Sequence, residues 1–451
     1  MRREIFREYD IRGIADKDLT AETVELLGQG IGTWLLRKGA SRIALGRDCR
    51  LSSEPFRNAI VKGLTAVGAS VLDLGCVPTP LLYYSIHELK SDGGIMITGS
   101  HNPAEYNGFK ICLGHDSVYG AQIQEIADII EKLDFEKGSG QVSYEDVLES
   151  YKKYLLSGIK LSRKIRVAMD CGNGTACLLA PDIAEALGCE VTRLYCDMDG
   201  SFPNHHPDPT IVENLKDLRS AVVAGGLDLG IAFDGDADRI GVVADSGQII
   251  WGDTLLAIYA REILKRKPDA TFISEVKCSM NLYNDIEKHG GRAIMWKTGH
   301  SLIKAKMKDE KAELAGEMSG HMFFADRYLG YDDAIYAACR ILELLADSPS
   351  RLSEILSSFP ATFVTPEIRV QCDDDKKFTV VENIKRHFSS EYKVIDVDGA
   401  RVLFPNGWGL VRASNTQDVL VMRFEADSED CLNEIRRRVE QEVERVKAAL
   451  K

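Results

Sequence analysis

Lys164-Ile165-Arg166-Val167-Ala168-Met169, then Asp170-Cys171-Gly172-Asn173-Gly174, then Ala176 through Leu187, form the stretch on which the fold turns. It is a short apolar strand, a polar turn with two glycines, and an amphipathic helix. The same order recurs upstream. Arg42 to Gly46 is a strand, and Glu54 to Val67 carries helical spacing through Phe56, Ile60 and Leu64. Ala69 to Leu74 is the next strand, with a helix over Leu81 to Glu88, and Gly94 to Thr98 is a third strand. Downstream, a helix spans Val147 to Leu156, and Leu227 to Phe233 is a strand. A third run has a helix at Thr254 to Leu264, a strand at Thr271 to Ser274 and a helix across Tyr331 to Leu345. Alternation of this kind predicts α/β units with parallel strands and crossover helices, repeated with weak sequence agreement. After Pro360 the texture changes. Strands over Phe363 to Gln371, Lys393 to Asp398, Ala400 to Leu403 and Val419 to Glu425 flank helices at Lys376 to Phe388 and Asp430 to Leu450, a smaller α+β domain. The boundaries fall near 140, 250 and 360, giving domains 1–140, 141–250, 251–360 and 361–451.

A chain of 451 residues is too long for one ordinary core. Its 45% hydrophobic and 28% charged residues are a globular mixture rather than a disordered one. The formal charge of -13 argues against a duplex nucleic-acid partner and against an anionic membrane surface. No run approaches the ~18 apolar residues of a membrane span. Met1-Arg2-Arg3-Glu4 lacks the apolar stretch of a signal peptide. Eleven cysteines without a C-x-x-C pair fit neither a disulfide framework nor a zinc ribbon. A reducing cytoplasm is the expected compartment.

Ligands in open α/β sheets bind beyond the carboxyl ends of the strands, and three polar loops lie there. The first is Thr98-Gly99-Ser100-His101-Asn102-Pro103, followed by Tyr106-Asn107-Gly108-Phe109-Lys110. Gly99 permits a sharp turn and leaves the Ser100 hydroxyl projecting. That hydroxyl is a nucleophile only with help, and a Ser100–His101 dyad is not expected of adjacent residues. The alternative is a serine N-cap before a helix opened by Pro103. The second loop is Asp234-Gly235-Asp236-Ala237-Asp238-Arg239, where carboxylates at i, i+2 and i+4 point alike. Their oxygens suit Mg²⁺ or Ca²⁺. An EF-hand fails on Arg239 at its sixth position, Asp245 at its twelfth and the preceding strand. Without a cation the three would repel one another. The third is Gly409-Leu410-Val411-Arg412-Ala413-Ser414-Asn415-Thr416, whose guanidinium, hydroxyls and amide suit a phosphate, though a plain hairpin turn reads equally well. Two weaker segments are Ala315 to His321, suited to sugar hydroxyls or an ordinary turn, and Asp170 to Thr175, which lacks the lysine of a P-loop.

Taken in order, Phe6-Arg7-Glu8-Tyr9-Asp10-Ile11-Arg12-Gly13, Thr98–Pro103, Asp234–Arg239, Lys297-Thr298-Gly299-His300, Gly316–His321 and Arg412–Thr416 resemble the α-D-phosphohexomutase superfamily. The bacterial phosphomannomutase/phosphoglucomutase branch is the nearest in pattern. Phosphoglucosamine mutases typically read G-E-Q-S-G-H in the sugar loop, so Met318 points to the mannose/glucose branch. The resemblance covers almost the whole chain. It implies three related α/β domains with mixed sheets plus a C-terminal α+β domain around a central cleft. It also implies an enzyme interconverting hexose 1-phosphate and hexose 6-phosphate through a phosphoserine and a hexose 1,6-bisphosphate.

On that resemblance Ser100 carries the phosphoryl group, and Asp234, Asp236 and Asp238 hold Mg²⁺ against it. Lys110 and His321 are the candidates for proton transfer, with Arg12 and His300 in close support, and His101 is a substrate-binding candidate. Lys110 would have to be depressed toward neutrality to act as a base. Arg239 steadies Ser100. Glu317 and Ser319 bind sugar hydroxyls, Lys277 contacts substrate and Tyr9 shapes the cleft wall. Arg412, Ser414, Asn415 and Thr416 grip the phosphate that is not reacting. Hexose phosphates are then the partners, with the chain a monomer or weak homo-oligomer. The alternatives are a phosphoglucosamine mutase, a metal-dependent sugar-phosphate phosphatase, which would release inorganic phosphate, and a non-catalytic sensor, which has no reason to carry phosphate on Ser100.

Overall fold

The computed structural model describes residues 2–415 and 417–450, which form four sheets. The quoted strand is observed as Arg166–Asp170, buried at its last four positions and flanked on both sides by parallel neighbours, Leu229–Phe233 and Glu190–Leu194. A strand covered on both faces needs a continuous apolar run, as this one has. The single helix expected after it is divided into a 3-10 turn, Thr175–Leu178, and an α-helix, Ala180–Ala186. Pro181 is the reason: it lacks an amide hydrogen and suits the first turn of a helix rather than its interior.

The first three sheets share one plan, and it is not purely parallel. In the first, Arg42–Arg47 pairs in parallel with Ser70–Cys76 and Gly93–Ile97, and the antiparallel Tyr106–Leu113 then adds to Gly93–Ile97. In the second, Leu229–Phe233 ends the parallel set and takes antiparallel Ile240–Ala244. In the third, Arg292–Trp296, Thr271–Glu275 and Leu314–Gly316 are parallel, and Met322–Phe324 returns antiparallel. The sheets are therefore mixed. In each unit the parallel set closes with a hairpin, and the loops Thr98–Glu105, Asp234–Arg239 and Glu317–His321 are those hairpins' links. Their common position explains why weakly related sequences deliver side chains to one place.

The fourth sheet is antiparallel throughout, with helices Asp374–Phe388 and Glu429–Ala449 sharing its core. The strand expected over Phe363 to Gln371 is broken into Phe363–Val364 and Ile368–Gln371. Pro366 between them cannot donate to a ladder. The helix expected from Tyr331 begins at Ala334, because Asp333 accepts the Tyr336 amide at 2.8 Å as its N-cap. One apolar core runs from Leu81 through Tyr151, Val167 and Phe233 to Phe324 and Leu345, joining the first three units; the fourth has its own around Val380, Val402 and Phe424.

Candidate active site

Ser100 lies just beyond the end of Gly93–Ile97, 3% exposed. Its backbone is left-handed, with φ +47°, a conformation a non-glycine residue seldom adopts outside functional or tightly held loops. The tight fold brings adjacent side chains together: Ser100 Oγ is 3.1 Å from His101 Nδ1. The two side chains do come within reach of each other, which adjacency alone did not suggest. No helix follows Pro103, so the N-cap alternative fails. Ser100 Oγ donates instead to Asp234 Oδ2 across the boundary between units, at 2.8 Å. Burial, then Arg239 and Arg12, hold His101 well below the usual imidazole range, so it is neutral there.

The loop is held by a residue that the sequence reading passed over. Arg50, 1% exposed, donates to four carbonyls: Ser100 at 2.7 Å, Asn102 at 2.6 Å, Pro103 at 2.6 Å and Tyr106 at 3.1 Å. Asp48 balances its charge at 3.2 Å and accepts the Gly99 amide at 3.1 Å. A Cβ at Gly99 would sit 2.5 Å from the Arg50 guanidinium, so glycine is needed for the approach. Nothing in residues 42–54 signals this role.

Asp234, Asp236 and Asp238 are fully buried, and each offers an oxygen within 4.8 Å of the others. Asp236 Oδ1 has no hydrogen-bond partner, while Asp236 Oδ2 accepts from Thr79 at 2.6 Å and Thr98 at 3.1 Å. A buried, unpartnered carboxylate oxygen among three acids is costly unless a cation joins it. The residues fit a divalent metal. Burial and then the charges of Asp238 and Asp236 push the Asp234 carboxyl well up, whereas Lys110 and His321 overcome burial to hold Asp238 well down. Lys110 Nζ lies between Asp236 Oδ2, at 3.0 Å, and Asp238 Oδ2. Burial pushes Lys110 down, but Asp236, Asp238 and Asp332 outweigh it and the group ends raised. The depression expected of Lys110 is therefore absent from this arrangement.

From the third unit, His321 reaches the same acids. Its Nε2 is 3.2 Å from both Asp238 Oδ1 and Arg239 Nε, and its Nδ1 is 2.6 Å from Glu317 Oε2 and 3.4 Å from Ser319 Oγ. Burial opposes protonation of His321, yet Asp238 and Glu317 raise it to about 9; Glu317, despite its burial, is lowered to about 2 by His321 and the Gly299 amide. Arg239 stays charged beside Asp234 and Asp238. His300 Nδ1 is 3.8 Å from Asp332, without a hydrogen-bond partner.

Lys277 Nζ is 3.5 Å from Glu275 and 3.2 Å from Glu367. Arg412 Nε donates to Asp398 at 3.0 Å, and Ser414 Oγ accepts the Gln417 amide at 3.2 Å. Asn415 donates to Tyr9 Oη at 2.9 Å, and Tyr9 donates to the Thr298 carbonyl at 2.9 Å, so the first, third and fourth units touch through one phenol. Burial pushes that phenol up to about 12. Arg12 pairs with Asp10 and leaves its Nε unpartnered. Thr416 lies outside the described residues. None of these side chains lines the cavity of about 760 Å³ beneath Tyr83, His87, His115 and Lys304.

Comparison with known proteins matches all four units in order. Residues 3–137, 144–247 and 251–363 match phosphoglucomutase/phosphomannomutase alpha/beta/alpha domains I, II and III, and residues 367–442 match the C-terminal domain. A Phosphomannomutase/phosphoglucomutase of Pseudomonas aeruginosa is 48% identical over 96% of this chain and 94% of its own. A Phosphoglucomutase of Neisseria gonorrhoeae is 45% identical over 98% and 97%. The crystal structure of a phosphoglucomutase/phosphomannomutase family protein from Burkholderia thailandensis superposes with TM-score 0.93 at 41% identity, covering 98% of both chains.

Proposed function

The chain belongs to the phosphoglucomutase/phosphomannomutase family, and we propose that it interconverts the 1- and 6-phosphates of mannose and glucose through a phosphoserine at Ser100. It is an enzyme that moves phosphate within a hexose phosphate. The observation that carries the phosphoserine reading is the buried Ser100 hydroxyl, 2.8 Å from Asp234 in a triad of acids with one open oxygen. Mg²⁺ held by Asp234, Asp236 and Asp238 would draw charge from the phosphate oxygens.

In the first half-reaction a hexose hydroxyl attacks the phosphorus of phospho-Ser100. The new P–O bond forms as the bond to Ser100 Oγ breaks. Lys110 and His321 are both charged in this arrangement, so one of them gives its proton to Ser100 Oγ as that oxygen leaves and takes up the hydroxyl's proton in its place; the pair serves the two directions of transfer. Glu317, on Nδ1, sets the ring of His321 so that Nε2 faces the acids. Arg239 and Arg12 pair with charge on the moving phosphoryl, with His101 and His300 beside it. The bisphosphate turns over in the cleft and returns its other phosphate to Ser100. Glu317 and Ser319 receive sugar hydroxyls. Lys277, Arg412, Ser414, Asn415 and Thr416 grip the distal phosphate, and Tyr9 closes the wall between them. The domain divisions 1–140, 141–250, 251–360 and 361–451 give each such segment its own unit. We place the enzyme in the cytoplasm, where its eleven free cysteines would stay reduced.

Ser100→Ala tests this reading. We expect turnover of mannose and glucose 1-phosphates to fall at least a thousandfold with binding retained, since the variant loses the atom that carries the phosphoryl group. Wild-type turnover in that variant, or stoichiometric release of inorganic phosphate by the unmodified enzyme, would contradict it.

A further inference from the structure

Behind the metal loop, Cys171 Sγ and Cys196 Sγ lie 3.5 Å apart. Cys171 follows strand Arg166–Asp170 and is fully buried; Cys196 follows the adjacent strand Glu190–Leu194 and is partly exposed. The parallel register pairs Asp170 with Leu194, and the Cys171 amide donates to the Leu194 carbonyl at 3.1 Å, so the strands hold the two thiols side by side. A disulfide is about 2.05 Å long, so roughly 1.5 Å of approach separates thiols from cross-link. Hydrogen bonding with Cys171 lowers the Cys196 thiol, with Arg193 assisting against burial; hydrogen bonds with Cys177 and Cys196, then burial, raise Cys171. The more accessible sulfur is thus the more acidic one, the arrangement of an attacking thiol beside a resolving one.

Cys171 also opens the turn against which the metal loop rests. The Thr175 amide donates to the Gly235 carbonyl at 3.0 Å, and a Cβ at Gly174 would lie 2.7 Å from that oxygen. Gly235 stands between Asp234 and Asp236, and a Cβ on it would meet the Ser100 carbonyl at 2.6 Å. No slack separates the turn, the metal loop and the serine loop.

We propose that Cys171 and Cys196 are a peroxide-oxidisable dithiol whose disulfide displaces the turn supporting the metal loop and slows the enzyme. The Cys196 thiolate attacks one oxygen of hydrogen peroxide, the O–O bond breaks, and hydroxide leaves as water after taking a proton. Cys171 then gives up its proton and attacks the sulfenic sulfur, expelling the second oxygen as water. Two thiols are oxidised by two electrons and one peroxide is reduced. The cross-link does not depend on the reaction assigned above; its effect on turnover does.

The test treats the reduced, full-length enzyme with hydrogen peroxide, alkylates the remaining thiols and maps peptides by mass. We expect a Cys171–Cys196 linked peptide, a several-fold loss of mutase turnover and recovery of both with dithiothreitol. Cys196→Ser and Cys171→Ala should each abolish the linked peptide and blunt the loss, and Cys49→Ser should leave both intact. Absence of the linked peptide, or an equal loss of turnover in Cys196→Ser, overturns the dithiol. A linked peptide with unchanged turnover overturns the coupling to the metal loop and leaves the mutase reading untouched.

Discussion

Arg50 shows how much of the site depends on a side chain that meets no reacting atom. Its four carbonyl contacts close the loop around Ser100. Replacing it by Met removes those donors and leaves Asp48 buried without its partner, which costs about 3–5 kcal/mol where a buried pair is broken from one side. We expect Arg50→Met to lose that stability in denaturant unfolding and to lose turnover with it. Arg50→Lys should recover only part, because an ammonium cannot span four acceptors as a planar fork does. An unfolding midpoint equal to wild type in Arg50→Met would refute this role. At this scale the sequence was selectively legible. The alternating acids of Asp234–Asp238 after an apolar strand declare a cation site locally, because ligand type and spacing suffice. Arg50 could not be read so, since it meets Ser100 from fifty residues away and only after the chain has folded back. Nor could the Ser100–His101 contact, which depends on one left-handed residue.

Among the elements, the helix Ala334–Asp347 ties the third unit to the second. Its N-cap, Asp333, also accepts the phenols of Tyr151 at 2.7 Å and Tyr328 at 2.6 Å. Burial pushes Asp333 up to about 6, with those donors opposing. A carboxyl raised in the folded state binds its proton more tightly than in the unfolded chain. Folding stability due to Asp333 therefore falls as pH rises from about 4 through about 6 and is level above, a change of about 3 kcal/mol. Asp333→Asn does not titrate, so its stability relative to wild type should improve by about that amount between acid and neutral pH, measured by denaturant unfolding. A difference independent of pH would show that burial does not perturb the group. The alternation of strands and helices made these elements legible. The closing antiparallel strands were not, because Tyr106–Leu113 is buried along its whole interior and Met322–Phe324 is very short, so neither carries a period that separates it from parallel neighbours. Proline marked the errors: Pro181 and Pro366 each divide an element that apolar spacing alone runs together.

Over the whole molecule, on the proposed reading, an acidic chain gathers cations where the substrate's phosphates bind. Arg12, Lys110, Arg239, Lys277 and Arg412 come from four units, and exposed acids more than about 8–10 Å away are screened from them. The fourth unit has a separate core. It meets the third unit through Val276 packed with Trp408 and Leu410 and through Arg401, which donates to the Cys278 carbonyl at 2.8 Å and stacks on Trp408, and it meets the first through Asn415 on Tyr9. We expect amide hydrogen exchange to show the core strands and helices of residues 368–449 opening as one unit before those built on the core that the first three units share. Simultaneous exchange of all four would contradict that division. The central claim is that phosphate passes through Ser100. Its most direct measurement is peptide mass mapping of the enzyme after incubation with glucose 1,6-bisphosphate and removal of free sugar. One phosphate on Ser100, transferable to glucose 6-phosphate when that is added, is the predicted result. An unmodified Ser100 in enzyme that still turns over at its full rate would contradict it.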